Sequence, residues 1–172
     1  MTTTKAISIA ALRITLGLGF LWAGLEKVFQ FAGTGAFNAA GFLTHATGGA
    51  IPGSAATAIV NPTHAFWVSL GTNAGAVSAI NVLVQGGEIA IGLALILGLA
   101  TRFAAISGVL MMGLFYVANW SFATGPFNEQ FMYGAVAIVL ALVGAGEYFG
   151  LDALIEKNSW VSRTPVLRYV LG

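Results

Sequence analysis

The feature that most limits this chain is a run of 20 residues, Phe103 to Phe122, without one charged side chain. A helix that crosses a bilayer needs about 20 mostly apolar residues. Three more stretches have the same character. The first covers about Ala6–Phe31 and carries Arg13, Glu26 and Lys27. The second, about Val77–Leu99, carries Glu88, and the last, about Phe127–Phe149, has Glu129 near its start and Glu147 near its end. All are solid apolar blocks without alternation, which argues against strand crossings. The sequence therefore predicts an all-α polytopic membrane protein, a four-transmembrane-helix bundle over residues 1–149. A signal peptide is the other reading of the first stretch, with Lys5 as its charged end. The apolar run is too long for that, and no small-x-small cleavage site follows.

Composition settles what is excluded. Charged residues make up 8% of the chain and hydrophobic residues 58%, against about 25% and 45–50% in soluble domains. A net charge of +1 leaves no basic face for nucleic acid. With no cysteine, the chain holds no disulfide, thiolate metal site, persulfide carrier or covalent haem motif. Phosphate-loop, dinucleotide and nucleophile-elbow motifs are absent. His45 and His64 read as ordinary loop histidines, since a metal site needs three or four ligands. No paired intramembrane histidines are present for a b-type haem, so no metal or haem bound by this chain is expected.

Basic residues near span ends set orientation. Lys5 precedes the first span, Arg102 sits in the tight turn Ala100–Arg102, and Lys157, Arg163 and Arg168 follow the fourth. Between Val28 and Thr101 there is no lysine or arginine, nor is there one from Ser121 to Phe127. Both termini are expected in the cytoplasm of a multi-pass plasma-membrane protein, with residues 32–76 outside. That segment is long for a plain loop. Helical pieces are expected at Phe37–Thr47 and Thr63–Gly71, with Pro62 in the first turn of the second. Phe37, Phe42, Leu43, Phe66, Trp67 and Leu70 give the segment an apolar side, which predicts an extracytoplasmic helical cap and not a floppy loop. Residues 150–172 read as an amphipathic cytoplasmic tail along the inner interface.

Ionisable groups in hydrocarbon cost at least about 2.5–3.5 kcal/mol, so they turn inward and find partners. Arg13, Gly17, Phe20, Gly24 and Lys27 recur at helical spacing on one face of the first span. Asn81, Gln85, Glu88 and Gly92 do the same on the second. Gly108, Met112, Phe115 and Asn119 form such a face on the third, and Gln130, Gly134, Ala137, Ala141 and Gly144 on the fourth. Counted from the cytoplasmic ends at about 1.5 Å per residue, Arg13 and Glu88 differ in depth by about 6 Å. The expectation is that they pair. Glu26, Lys27, Asn81, Asn119 and Glu129, with Trp22, Tyr116 and Trp120, fall at similar depth nearer the outer end, a second polar group under the cap. Each has a plainer reading. A buried Arg–Glu pair can simply fix helix packing, Lys27 and Glu26 can snorkel, Arg102 is accounted for by topology, and tryptophan or tyrosine at this depth is an aromatic belt.

The face Arg13, Gly17, Phe20, Gly24, Lys27 resembles the opening span of the DoxX/DoxD family. The run Gly87–Arg102, with Glu88, Gly92 and Gly98, resembles its second span and short turn, and Gly144–Asp152 its final span. The long 32–76 insertion is closer to the DoxD type. This resemblance implies a membrane subunit of a quinone-linked redox complex. The DoxD-type protein is the membrane subunit of thiosulfate:quinone oxidoreductase, working with a DoxA-like chain and feeding a terminal quinol oxidase. Its substrate pair would be thiosulfate and quinone, its other partners membrane lipid. The alternative is a non-catalytic accessory subunit of a terminal oxidase or other membrane redox complex. On the first reading Glu88, Arg13 and Lys27 are the catalytic candidates, Glu88 carrying protons and Lys27 attracting the thiosulfate dianion. Phe20, Trp22, Tyr116, Asn119 and Trp120 are the candidates for quinone binding. A transporter is disfavoured, since no inverted repeat or broken-helix pair is visible.

Overall fold

A computed structural model describes residues 2–30, 33, 35–46, 61–120, 126–157 and 170–171. Every regular element among them is helical. Helix α1 is Thr3–Phe29, followed by one turn, α2 (Ala39–Gly41), which widens into a π turn at Phe42–Ala46. Then come α3 (His64–Gly71), α4 (Ala74–Leu97), α5 (Thr101–Ala118), α6 (Glu129–Leu142), a 3₁₀ turn at Ala145–Glu147, and the short α7 (Asp152–Ile155). Helices α1, α4 and α5 are long and apolar enough to cross a membrane. The expected spans differ from these helices by only a few residues at either end.

The fourth expected span is shorter than its apolar run. Helix α6 has 14 residues, about 21 Å of helix against a hydrocarbon core of about 30 Å. It stops because Gly144 takes a left-handed φ of 61°, and the chain turns so that the carbonyls of Ala145, Tyr148 and Phe149 face Arg13. Continued helix would have used those carbonyls internally.

Helices α1 and α4 run antiparallel in close contact, and glycine makes the closeness possible. A Cβ on Gly92 would lie 2.5 Å from the Leu21 amide nitrogen and 2.8 Å from the Gly17 carbonyl oxygen. Helices α5 and α6 form the second close pair. The seams between the two pairs are looser, and Leu16, Phe20, Ile91, Leu95, Ala105, Met112 and Leu140 fill the middle.

The short helices between α1 and α4 pack over the end of the bundle opposite the N-terminus. Ala39, Leu43, Trp67 and Ala118 form a second apolar cluster there. Two asparagines tie this cover down. Asn81 on α4 accepts from the Ala39 amide at 2.8 Å, and Asn61 donates to the Val117 and Ala118 carbonyls at 2.7 and 2.9 Å, satisfying the open end of α5. The centre of the expected cap, 47–60, lies outside the described residues, as do 158–169 of the expected tail, with Arg163 and Arg168.

The start of that tail folds inward. Asp152, which the amphipathic pattern places on a polar face, is fully buried. Its carboxylate accepts from the amides of Ala100 and Thr101 at 2.7 and 2.9 Å, supplying the N-terminus of α5 with the cap its own sequence lacks.

Candidate functional site

The expected pairing of Arg13 with Glu88 does not form. Arg13, 1% exposed, donates to the Ala145 carbonyl at 2.6 Å, to Tyr148 at 3.1 Å and to Phe149 at 3.4 Å. Glu88, 3% exposed, pairs instead with Lys27 at 2.9 Å. Helix register explains the error. A Cβ on Gly24 would meet Glu88 and Ile89, whereas the Arg13 guanidinium lies beside Gly98 and Gly150. Eleven residues separate Arg13 from Gly24, about 16 Å of helix. Depth counted from the two helix ends misleads because α1 begins some ten residues before the level at which α4 stops. Arg13 thus belongs to the turn that closes the bundle, and Lys27 is the cation at the level of Glu88.

Lys27 also donates to the Ala23 carbonyl at 3.3 Å and lies 5.6 Å from the centre of the Phe37 ring. Beside the pair is a cavity of about 370 Å³ on the seam between α1 and α6. Gly19, Phe20, Trp22 and Ala23 line it from α1, and Glu129, Gln130 and Tyr133 from α6. Phe20 is buried and meets the Tyr133 ring edge-on, 6.2 Å between centres. Trp22, 63% exposed, stands at the mouth. A second cavity, about 520 Å³, lies on the opposite seam between α4 and α5, under the cover helices. Its walls are apolar: Ile80, Leu83 and Val84 from α4, and Leu110, Met111 and Leu114 from α5. Lys27, Phe115 and Gln130 line both cavities, so the two are neighbours with these side chains at their common wall.

Of the expected site residues, the structure brings Lys27, Glu88, Phe20 and Trp22 together. Arg13 is at the other end. Tyr116, Asn119 and Trp120 are not among the lining residues of either cavity. The Tyr116 hydroxyl donates to the Pro126 carbonyl at 3.1 Å, and Asn119 ends α5. Asn81 holds the cover, and Glu129 accepts from the Gln130 amide at 3.0 Å. Sequence reasoning left Tyr133 out of the site, although it lies one turn from Gln130 on the same face. The Gln130 amide oxygen is buried without a hydrogen-bond partner. His45 shares a 2.7 Å hydrogen bond with Thr44, and no group of three or more histidine, aspartate or glutamate side chains converges among the described residues.

Fold and site define an integral membrane protein with a largely buried ion pair beside two cavities, a chamber of mixed lining and an apolar slot. Residues 8–169 match the family model described as DoxD, TQO small subunit, which covers nearly the whole chain. The chain belongs to the DoxD family, the membrane subunits of thiosulfate:quinone oxidoreductase-type complexes. No curated protein and no solved structure is detectably similar to it.

Proposed function

We propose that this chain is the quinone-binding subunit of a thiosulfate:quinone oxidoreductase in the plasma membrane, with four crossings, cytoplasmic termini and the cover helices outside. The observation that carries the reading is the adjacency of two unlike cavities that share Lys27 and Gln130, with Glu88 buried behind. A quinone ring is an apolar disc with carbonyl oxygens at its edge. It needs apolar walls, a donor to a quinone oxygen and an acceptor for a quinol hydroxyl. Phe20, Phe115 and Met112 supply walls. The Lys27 ammonium supplies a donor, and the unpartnered Gln130 amide oxygen an acceptor. Glu88, hydrogen-bonded to Lys27 at 3.0 Å, is placed to hand a proton inward.

Lys27 does not serve as the thiosulfate attractor on this reading, because Glu88 already neutralises it and Glu129 adds a further negative charge. Electrons reach the quinone from thiosulfate oxidised at a partner chain. Two thiosulfates joined as tetrathionate release the two electrons that, with two protons, make one quinol. The test is direct. Purified protein should bind a water-soluble quinone such as duroquinone, quenching tryptophan fluorescence. Glu88→Gln should keep that binding and abolish thiosulfate-dependent quinone reduction in the complex. Undiminished turnover in Glu88→Gln refutes the assignment of Glu88, and a wild-type protein that binds no quinone refutes the reading altogether, leaving an accessory subunit.

A further inference from the structure

The slot between α4 and α5 has no role in holding a quinone ring. It is larger than the chamber and reaches to the protein's outer face. Leu83, Leu110 and Leu114 on its walls are 69%, 65% and 59% exposed. The slot shares Lys27, Gln130 and Phe115 with the chamber, and Phe37, Phe42, Leu43 and Trp67 of the cover line it too. Its lining thus includes both the Lys27 cation and leucines exposed on the protein's outer face. The cavity on the α1/α6 seam differs. Its lining adds the exposed Glu129 to the Lys27–Glu88 ion pair.

We infer that the α4/α5 slot is the lateral port of a lipid-soluble quinone, which slides in ring first and leaves its polyprenyl tail in the slot, while the α1/α6 chamber is a water-side opening that the tail never enters. This rests on the quinone reading above. Three observations select the occupant. The slot shares Lys27, Gln130 and Phe115 with the place where a ring would be hydrogen-bonded, whereas a phospholipid acyl chain has no use for a lysine and a glutamine at its tip. At about 520 Å³ the space lies within the range of small-molecule sites, about 300–1,000 Å³. And the chamber mouth, with Glu129 beside Trp22, is a poor surface for a hydrocarbon tail to cross, since a charge in an apolar contact must be desolvated.

Hydrophobicity gives the tail little reason to prefer the slot to lipid, so the effect to measure is exclusion. Leu83→Trp and Leu114→Trp, singly and together, put bulk into the port while keeping it apolar. Against a polyprenyl benzoquinone in nanodiscs, the double variant should bind at least about tenfold more weakly, 1.4 kcal/mol. Against tail-less duroquinone, which can use the chamber, it should bind within about twofold of wild type, which also shows that the variant is folded. Ala23→Trp, in the wall of the chamber that holds the ring, should weaken binding of both quinones alike. A second measurement needs no variant: a polyprenyl quinone carrying a photoreactive group on its tail should label α4 and α5 around Leu83, Leu110 and Leu114. Labelling of Trp22 or the start of α6, or tailed-quinone binding that survives the double variant, overturns the port and leaves the quinone site standing. A phospholipid that stays in the slot when tailed quinone binds also overturns it. Failure of wild type to bind either quinone is the separate failure of the underlying reading.

Discussion

The pair Lys27–Glu88 should respond asymmetrically to the loss of each partner. Glu88 is 3% exposed and the Lys27 side chain 21%. In Lys27→Met, the carboxylate remains deep between helices with no counter-charge. Removing one partner of a buried pair costs about 3–5 kcal/mol, and the partial exposure of the lysine puts this case near about 3. In Glu88→Gln the ammonium keeps the Ala23 carbonyl at 3.3 Å and the Phe37 ring face and can still donate to the new amide oxygen, so the cost is about 1 kcal/mol. The double variant Lys27→Met/Glu88→Gln replaces the ions by neutral groups of similar volume and should also lose only about 1 kcal/mol. The cycle then gives a coupling of about 3 kcal/mol, the upper end for groups in contact. Unfolding of the detergent-solubilised protein by sodium dodecyl sulfate, followed by tryptophan fluorescence, measures all four forms. Equal costs for the single variants, or strict additivity in the double, would refute the burial argument whatever the protein's activity.

Gly92→Ala should be destabilising by about 1–3 kcal/mol, because its new methyl meets backbone atoms of Leu21 and Gly17 that only a separation of α1 from α4 can relieve. Gly113→Ala, with open space around the site, should be neutral or stabilising by up to about 1 kcal/mol, and the two should be compared in the same unfolding assay. Asp152→Ala removes the acceptor of two amides at the start of α5 and should cost about 1–2 kcal/mol, with hydrogen exchange rising first at Ala100 and Thr101. Arg13→Lys should lose about 1.5–3 kcal/mol, since an ammonium cannot reach the Ala145, Tyr148 and Phe149 carbonyls together as the guanidinium does, yet its affinity for duroquinone should match wild type.

What was legible beforehand follows from the kind of signal each feature leaves. Helical faces were readable: of the stripe on α4, Glu88 and Gly92 are buried, Asn81 and Gln85 partly so. On α5, Gly108 and Met112 turn inward as their spacing implies. Pairing between helices was not readable, because a face fixes direction and leaves the axial shift between two rods open. That shift is set by Gly17, Gly24 and Gly92, whose contacts put Glu88 level with Gly24. The early stop of α6 left a trace in Gly144, Gly146 and Glu147, but glycine is common in membrane helices, so the apolar count ran on to Phe149. The carbonyls that the turn presents to Arg13, 132 residues away in the chain, leave no local signal. Asp152 was misplaced for a related reason. Its partner is an uncapped helix start, and the missing cap at Ala100 was the one available clue.

Charge matching also decides where a sulfur anion can act. Helix α1 carries two cations that turn into the bundle. Arg13 is spent on the carbonyls of the closing turn, and the partly buried Lys27 pairs with Glu88. Among the described residues lining the chamber, one lysine faces two glutamates, so with both carboxylates ionised the space carries one net negative charge. A dianion about 6 Å from that charge, at an effective dielectric of about 20, is disfavoured by about 5 kcal/mol. A neutral quinone is not. On that arithmetic the chain alone should bind duroquinone without competition from millimolar thiosulfate, and should not reduce quinone with thiosulfate until a partner chain supplies a cationic site. Glu129→Lys inverts the sum to one positive charge. The variant should therefore acquire thiosulfate competition that weakens as salt is raised, the signature of an exposed charge being screened. If thiosulfate competes with quinone in the wild-type chain, or if Glu129→Lys leaves it inert, the chamber's charge is not what keeps the anion out, and thiosulfate chemistry has to be sought within this subunit.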